Sequence, residues 1–120
     1  MRDFRTYTFW QDSLQLSVDI VAKTRDFPAD EKFALCSQLR RSAVSIPSNI
    51  AEGAGRYSDV DFAHFLDIAL GSAFEVETQL YIAQKLNYIP QKESQELINR
   101  LASIQRRLSS FINRIRGASQ

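Results

Sequence analysis

Six apolar residues, Leu97, Leu101, Ile104, Leu108, Phe111 and Ile115, fall at intervals of 4, 3, 4, 3 and 4. No proline interrupts them. This alternation keeps one apolar seam along one side of an α-helix, suited to packing beside other helices at about +20°. Such a seam needs other helices to cover it, so the rest of the chain is read for partners.

The spacing predicts three. In the segment of about residues 9–24, Trp10, Leu14, Val18 and Val21 repeat at helical intervals and read as the core face. Phe9, Leu16 and Ile20 fall nearly opposite and read as apolar surface left for an oligomer interface. In the segment of about residues 29–53, Leu35, Leu39, Ala43, Ile46 and Ile50 share a face. Pro47 lies inside this pattern; it removes a backbone donor and crowds the preceding turn, so a kink is expected near residues 43–47. Ser42, Ser45 and Ser48 stand close enough to bond the freed carbonyls. Gly53 or Gly55 is expected to end this helix in a left-handed cap. Ser58 and Asp61 have capping-box spacing and open a helix of about residues 58–86. Its stripe is Phe62, Phe65, Leu66, Ala69, Ala73, Val76, Leu80 and Ala83. Ile68 and Ile82 point away and join the expected interface, while Gly71 is expected to admit a neighbour's backbone. The seam helix covers about residues 90–116, and residues 117–120 are expected to fray. Four helices with short turns predict a single all-α domain, an up-down-up-down four-helix bundle.

Composition excludes more chemistry than it suggests. Lys plus Arg is 15 and Asp plus Glu is 14, a formal charge of +1, so any basic surface must be local. The lone cysteine, Cys36, excludes an intramolecular disulfide and a cysteine-based zinc site. The lone histidine, His64, stands three residues after Asp61, but a di-metal bundle needs a second histidine. No G-x-S-x-G element, phosphate loop or dinucleotide fingerprint occurs. Glu75 and Glu77, two apart, project from different sides of their helix, and Glu77 flanks the stripe where it can meet an arginine. The expectation is a protein that is not an enzyme and needs neither cofactor nor metal. The start, MRDFRTYTFW, lacks the apolar core of a signal peptide, no run suits a membrane span, and cytoplasmic localisation is expected.

The strongest local charge signal lies beside the seam. Arg100, Arg107 and Arg114 are spaced by seven, and with Arg106 and Arg116 the stretch from Arg100 to Arg116 holds five arginines and no acid. The helix before it is acidic, with Asp59, Asp61, Asp67, Glu75 and Glu77. One reading pairs these two helices as complementary charged flanks. The other turns the arginines outward to phosphates, over about 21 Å of helix. Arg40 and Arg41 enlarge a basic surface if the fold gathers them, as do Arg2 and Arg5.

The segments QLRRSAV (Gln38–Val44), SIPSNIAEGAGR (Ser45–Arg56) and FLDIALGSAFEVETQL (Phe65–Leu80) carry a further signal. Over about Trp10–Tyr88 the chain resembles the four-helix-bundle family named for the 23S rRNA intervening sequence protein. The motif residues are Pro47, Asn49, Glu52, Gly53, Arg56 and Gly71, while Ala73 and Phe74 depart from the family pattern. The last helix resembles the family only in its periodicity. Members lie within intervening sequences of bacterial 23S rRNA genes or elsewhere without an assigned role, and no catalytic residue transfers. The family is similar in fold to the accessory variability determinant of diversity-generating retroelements, a pentameric barrel that binds a reverse transcriptase and nucleic acid. The resemblance therefore implies a homo-oligomer, in number a pentamer, with nucleic acid or a reverse transcriptase as partners. The same motif has a structural reading: a bend at Pro47, polar side chains of Asn49 and Glu52 bonded to freed backbone groups or Arg56, and glycines at the turn. Two readings follow: an oligomeric nucleic-acid-associated adaptor, or a structural protein–protein interaction module.

Overall fold

The computed structural model describes residues 2–118; the expectation of fraying at Ser119 and Gln120 lies outside them. Four long helices occur and no strand appears among the described residues. They are α1 (Thr8–Thr24), α2 (Leu35–Ala54), α3 (Asp59–Lys85) and α4 (Gln91–Ala118). The all-α bundle is elongated, 47 × 23 × 20 Å.

Each helix starts where the local chemistry allows it. Ser58 Oγ accepts from the Asp61 amide at 3.1 Å and opens α3. The end of α3 is closed by Asn87, the one non-glycine residue among those described with positive φ, 61°. The Asn87 amide donates to Gln84 O at 3.0 Å and the Tyr88 amide to Ala83 O at 2.9 Å, a Schellman arrangement that pairs the last carbonyls. Helix α2 begins at Leu35 rather than at residue 29. Residues 29–31 form a separate short 3-10 turn, and Lys32, Phe33 and Ala34 are exposed, so nothing in that stretch anchors a helix to the core.

The glycines act otherwise than expected. None has positive φ. Gly53 is buried, and a Cβ there would stand 2.6 Å from Phe65 Cβ and 3.2 Å from Phe62 Cδ1, so its role is close contact with α3 rather than a left-handed cap. Gly71 is exposed, and a Cβ there would meet nothing within 4 Å, so no backbone approaches it within the bundle.

The core runs through Leu39, Ile46, Ile50, Phe62, Leu66, Leu80, Leu101, Ile104 and Leu108, all essentially inaccessible. The α4 seam is buried from Leu97 to Leu108, with Phe111 and Ile115 half-buried at its end. Helix α1 reverses its expected orientation. Phe9, Leu16 and Ile20 are 5%, 1% and 0% exposed and sit in the core, so they are not available to an interface. Leu14 and Val18, expected inside, are 43% and 55% exposed. The buried face of α1 is completed by Ser13, Ser17 and Thr24. Their hydroxyls bond carbonyls, to Trp10 O at 2.9 Å, Ser13 O at 2.8 Å and Val21 O at 2.7 Å respectively, so small polar residues enter the core with their bonds made. Counting apolar residues alone therefore selects the wrong face.

The single Ser17 hydroxyl hydrogen is shared between Ser13 O and the Ala43 carbonyl on α2, each 2.8 Å from Oγ. Ala43 is four residues before Pro47, and proline has no N–H to give that carbonyl. The donor comes from another helix, not from Ser42, Ser45 or Ser48: Ser42 donates to Gln38 O and Ser45 bonds Ser72 Oγ at 2.8 Å. Cys36 is buried, and desolvation raises its thiol pKa, consistent with a small packing residue.

Candidate functional site

The charged stripe of α4 lies against α1. Arg100 Nη1 pairs with Asp19 Oδ2 at 2.8 Å and Arg107 Nη2 with Asp12 Oδ2 at 2.7 Å. Each pair matches a seven-residue interval on one helix to a seven-residue interval on the other, with the numbering running in opposite directions. Lys23 Nζ and Glu93 Oε1, 2.6 Å apart, continue the row, and this hydrogen bond raises the Lys23 pKa. Of the α4 arginines, among the described residues, only Arg116 reaches an acid of α3, Asp67. Glu77 meets no arginine among the described residues; it accepts from Gln105 Nε2 at 2.9 Å. Complementary charge between α3 and α4 is thus mostly replaced by complementary charge between α1 and α4. Partly exposed pairs such as Arg100–Asp19 and Arg107–Asp12 are each worth ~0–1 kcal/mol.

Arg106 and Arg114 differ. Both are exposed, and no carboxylate among the described residues pairs with either. They share a pocket of about 390 Å³ with Arg107, Ser110 and Phe111 of α4 and with the segment from Thr6 to Phe9. Arg107 is fixed in the wall: besides Asp12, it donates from Nη1 to Thr8 Oγ1 at 3.1 Å and from Nε to Ser103 O at 3.3 Å. The Arg114 guanidinium lies 5.5 Å from the Phe111 ring centroid. Behind the pocket, Tyr7, Phe9, Phe62 and Phe111 form a ring cluster with centroids 5.1–6.2 Å apart in contacting pairs. Burial raises the Tyr7 pKa, with the Arg2 charge opposing it, so its hydroxyl stays protonated. Sequence spacing alone does not single out Tyr7, Thr8, Ser110 and Phe111 for this site. The four-residue intervals of Arg106, Ser110 and Arg114 are the available signal, masked by the seven-residue stripe.

The other basic candidates are not gathered here. Arg40 donates from Nε to Thr24 Oγ1 at 2.7 Å, which ties α2 to α1. Arg41 bonds Ser37 Oγ at 3.3 Å and lines a polar groove between α2 and α3 with Gln38, Ser42, Ser45, Ser72 and Glu75. Arg2 bonds the carbonyls of Ala54 and Arg56 and pairs with Asp59, latching the turn between α2 and α3. Arg5 pairs with Asp3.

Of the motif residues, Glu52, Gly53 and Arg56 lie at this turn, whereas Asn49 bonds within α2. Asn49 donates to Ser45 O and Oγ, both at 2.8 Å. Glu52 and Arg56 pair at 3.1 Å, and the Arg56 guanidinium stands 4.5 Å from the Phe65 ring centroid. His64 is exposed beside Phe65.

Two apolar surfaces remain open. A groove of about 660 Å³ between α1 and α2 is lined by Phe4, Trp10, Leu14, Val18, Val44 and Pro47, among others. On α3, Ile68, Phe74 and Ile82 are 40–52% exposed. No helix among the described residues is long and apolar enough to cross a membrane.

The family model of the 23S rRNA-intervening sequence protein matches residues 5–110, well into α4. The chain is similar to a crystal structure of a protein of unknown function from the S23 ribosomal protein family of Bacteroides thetaiotaomicron VPI-5482. The two are 31% identical with a TM-score of 0.82, over 88% of this chain and 96% of that one. No curated protein matches the chain.

Proposed function

Because the chain belongs to the 23S rRNA-intervening sequence protein family, and its solved relative is of unknown function, we propose a role from its own surfaces: a non-enzymatic, self-associating bundle that binds nucleic acid. The observation that carries this reading is the pair Arg106 and Arg114, exposed, free of carboxylate partners among the described residues, and set beside Arg107. Arginines so placed attract phosphates with little sequence preference. Arg100 and Arg107 contribute little positive charge, since Asp19 and Asp12 neutralise them. Arg40 and Arg41 are secondary contacts. The test is fluorescence anisotropy with structured RNA and duplex DNA, both with hydroxyl ends, at two salt concentrations. Binding should weaken with salt and in Arg106→Gln/Arg114→Gln. Absence of binding at low salt refutes the reading.

The apolar surfaces favour a second component, association with further copies of the chain. We place this interface at Trp10, Leu14 and Val18 of the α1–α2 groove, together with Ile68 and Ile82; a pentamer is the number implied by the family resemblance. A structural interaction module without nucleic-acid binding would use the same surfaces. Light scattering of Val18→Asp and Ile68→Asp should give smaller species with intact helices; a native monomer at micromolar concentration refutes self-association.

The same reading takes the bundle as up-down-up-down, supported by contacts such as Ser17–Ala43, Ser45–Ser72 and Gln84–Ser94 between successive helices. It takes α2 as bent at Pro47, supported by the Ala43 carbonyl being bonded by Ser17. Its cytoplasmic placement rests on the lone thiol.

A further inference from the structure

We propose that the pocket walled by Arg106, Arg107 and Arg114 binds the phosphomonoester of a nucleoside, as found at the end of a nucleic-acid strand or on a free nucleotide. The strand-end form rests on the nucleic-acid reading above; the pocket chemistry does not.

Three guanidinium-bearing residues line the pocket, and among the described residues no acidic side chain does, Asp12 standing outside it on Arg107. Arg107 is held by Asp12, Thr8 and the Ser103 carbonyl, so it is a fixed element. Arg106 and Arg114 are spare, with Ser110 between them at four-residue intervals on the same helix face. A guanidinium offers planar paired donors that match phosphate oxygens. An internal phosphodiester carries one negative charge, whereas a phosphomonoester carries about 1.5 to 2 at pH 7 and an additional oxygen acceptor. Two arginines without a carboxylate partner among the described residues, with the Ser110 hydroxyl between them, therefore suit the terminal group better than the internal one.

Size and composition add the nucleoside. The volume is about 390 Å³, within the range of sites for single small molecules. Bare phosphate would leave most of it empty. Half-buried Tyr7 and Phe111 give the lining its accessible aromatic surface, with Phe9 packed in the core behind them, and nucleobases lie against such rings. A continuous strand needs an open track of several phosphates, whereas this pocket concentrates its spare cations within two helical turns, about 12 Å of axis.

The test is isothermal titration calorimetry of the full chain with three hexauridylates: 5′-phosphorylated, 3′-phosphorylated and unphosphorylated. Uridine monophosphate, uridine and inorganic phosphate serve as competitors. One phosphorylated end should bind about tenfold more tightly than the unphosphorylated strand, a preference expected of charge-assisted arginine contacts. Arg106→Gln/Arg114→Gln should remove that preference with circular dichroism unchanged, since both side chains are exposed. Uridine monophosphate should compete, and uridine should not. Direct binding of uridine monophosphate with no strand bound supports the pocket, assigns it to free nucleotide, and refutes the nucleic-acid reading. Equal binding of all three strands without competition by mononucleotide overturns the pocket and leaves the nucleic-acid reading in place. Inorganic phosphate competing as well as the mononucleotide overturns the nucleoside part. A preference that survives the double replacement overturns the residue assignment.

Discussion

Helices α1 and α4 lie side by side and bury different kinds of surface. The inner face of α4 is a seam of Leu97, Leu101, Ile104 and Leu108 with no polar residue between them on that line. The inner face of α1 alternates large apolar residues, Phe9, Leu16 and Ile20, with Ser13, Ser17 and Thr24. The hydroxyl residues are small and bond backbone carbonyls, so burial leaves no polar group stranded. The outer faces differ in the reverse sense: α1 exposes Leu14 and Val18, whereas α4 exposes Arg106 and Arg114. A helix can thus bury its less apolar side when that side makes the better contacts and the other side has a use in solution.

Truncating one inner residue on each helix has the largest expected effect. Leu101→Ala and Ile20→Ala should each cost about 2–5 kcal/mol in urea unfolding, because both sites are fully buried. A small loss for Ile20→Ala alone would overturn the inward face of α1. Next in size is Ser17→Ala, expected to cost about 1–3 kcal/mol by stranding the Ala43 carbonyl. In a Pro47→Ala background the residue at 47 regains its N–H for that carbonyl, so the Ser17→Ala cost should shrink. A double-mutant cycle measures this, and strict additivity would refute the compensation.

Smaller again is the ion-pair row. Asp12→Asn should lower stability by less than about 1 kcal/mol at low salt and by less still at high salt. A salt-independent loss would mean that the contact acts through packing. The smallest effect belongs to the outer face. Val18→Thr should change the stability of the bundle by no more than about 0.5 kcal/mol, measured by thermal melts at dilution that disfavours self-association.

The α4 seam is legible in the sequence because apolar identity and burial coincide along it. The buried face of α1 is not, since Ser13, Ser17 and Thr24 count as polar in any periodicity and count as core only when their carbonyl partners are known. Gly53 is legible as a special position but for another reason than the one observed: a close approach of α3, set by Phe62 and Phe65, is a tertiary fact. Asn87 sits in the expected turn, yet its left-handed conformation depends on how α3 ends. Of the candidate site, the arginine-rich stretch is visible and the division of labour within it is not. Which arginines are occupied depends on Asp12 and Asp19, at the other end of the chain.

The bond from Ser17 to the Ala43 carbonyl acts as an address as well as a contact. Along most of α2 the backbone carbonyls are engaged by their own helix, so a neighbour can slide past them without gain or loss. Pro47 leaves one acceptor open at one height, and α1 meets it with one hydroxyl. Shifting α1 by a turn would present there either Val21, which has no donor, or Ser13, whose hydroxyl bonds Trp10 O. The proline therefore marks a single rung at which the two helices agree on their alignment, and the apolar groove over Pro47 inherits that alignment.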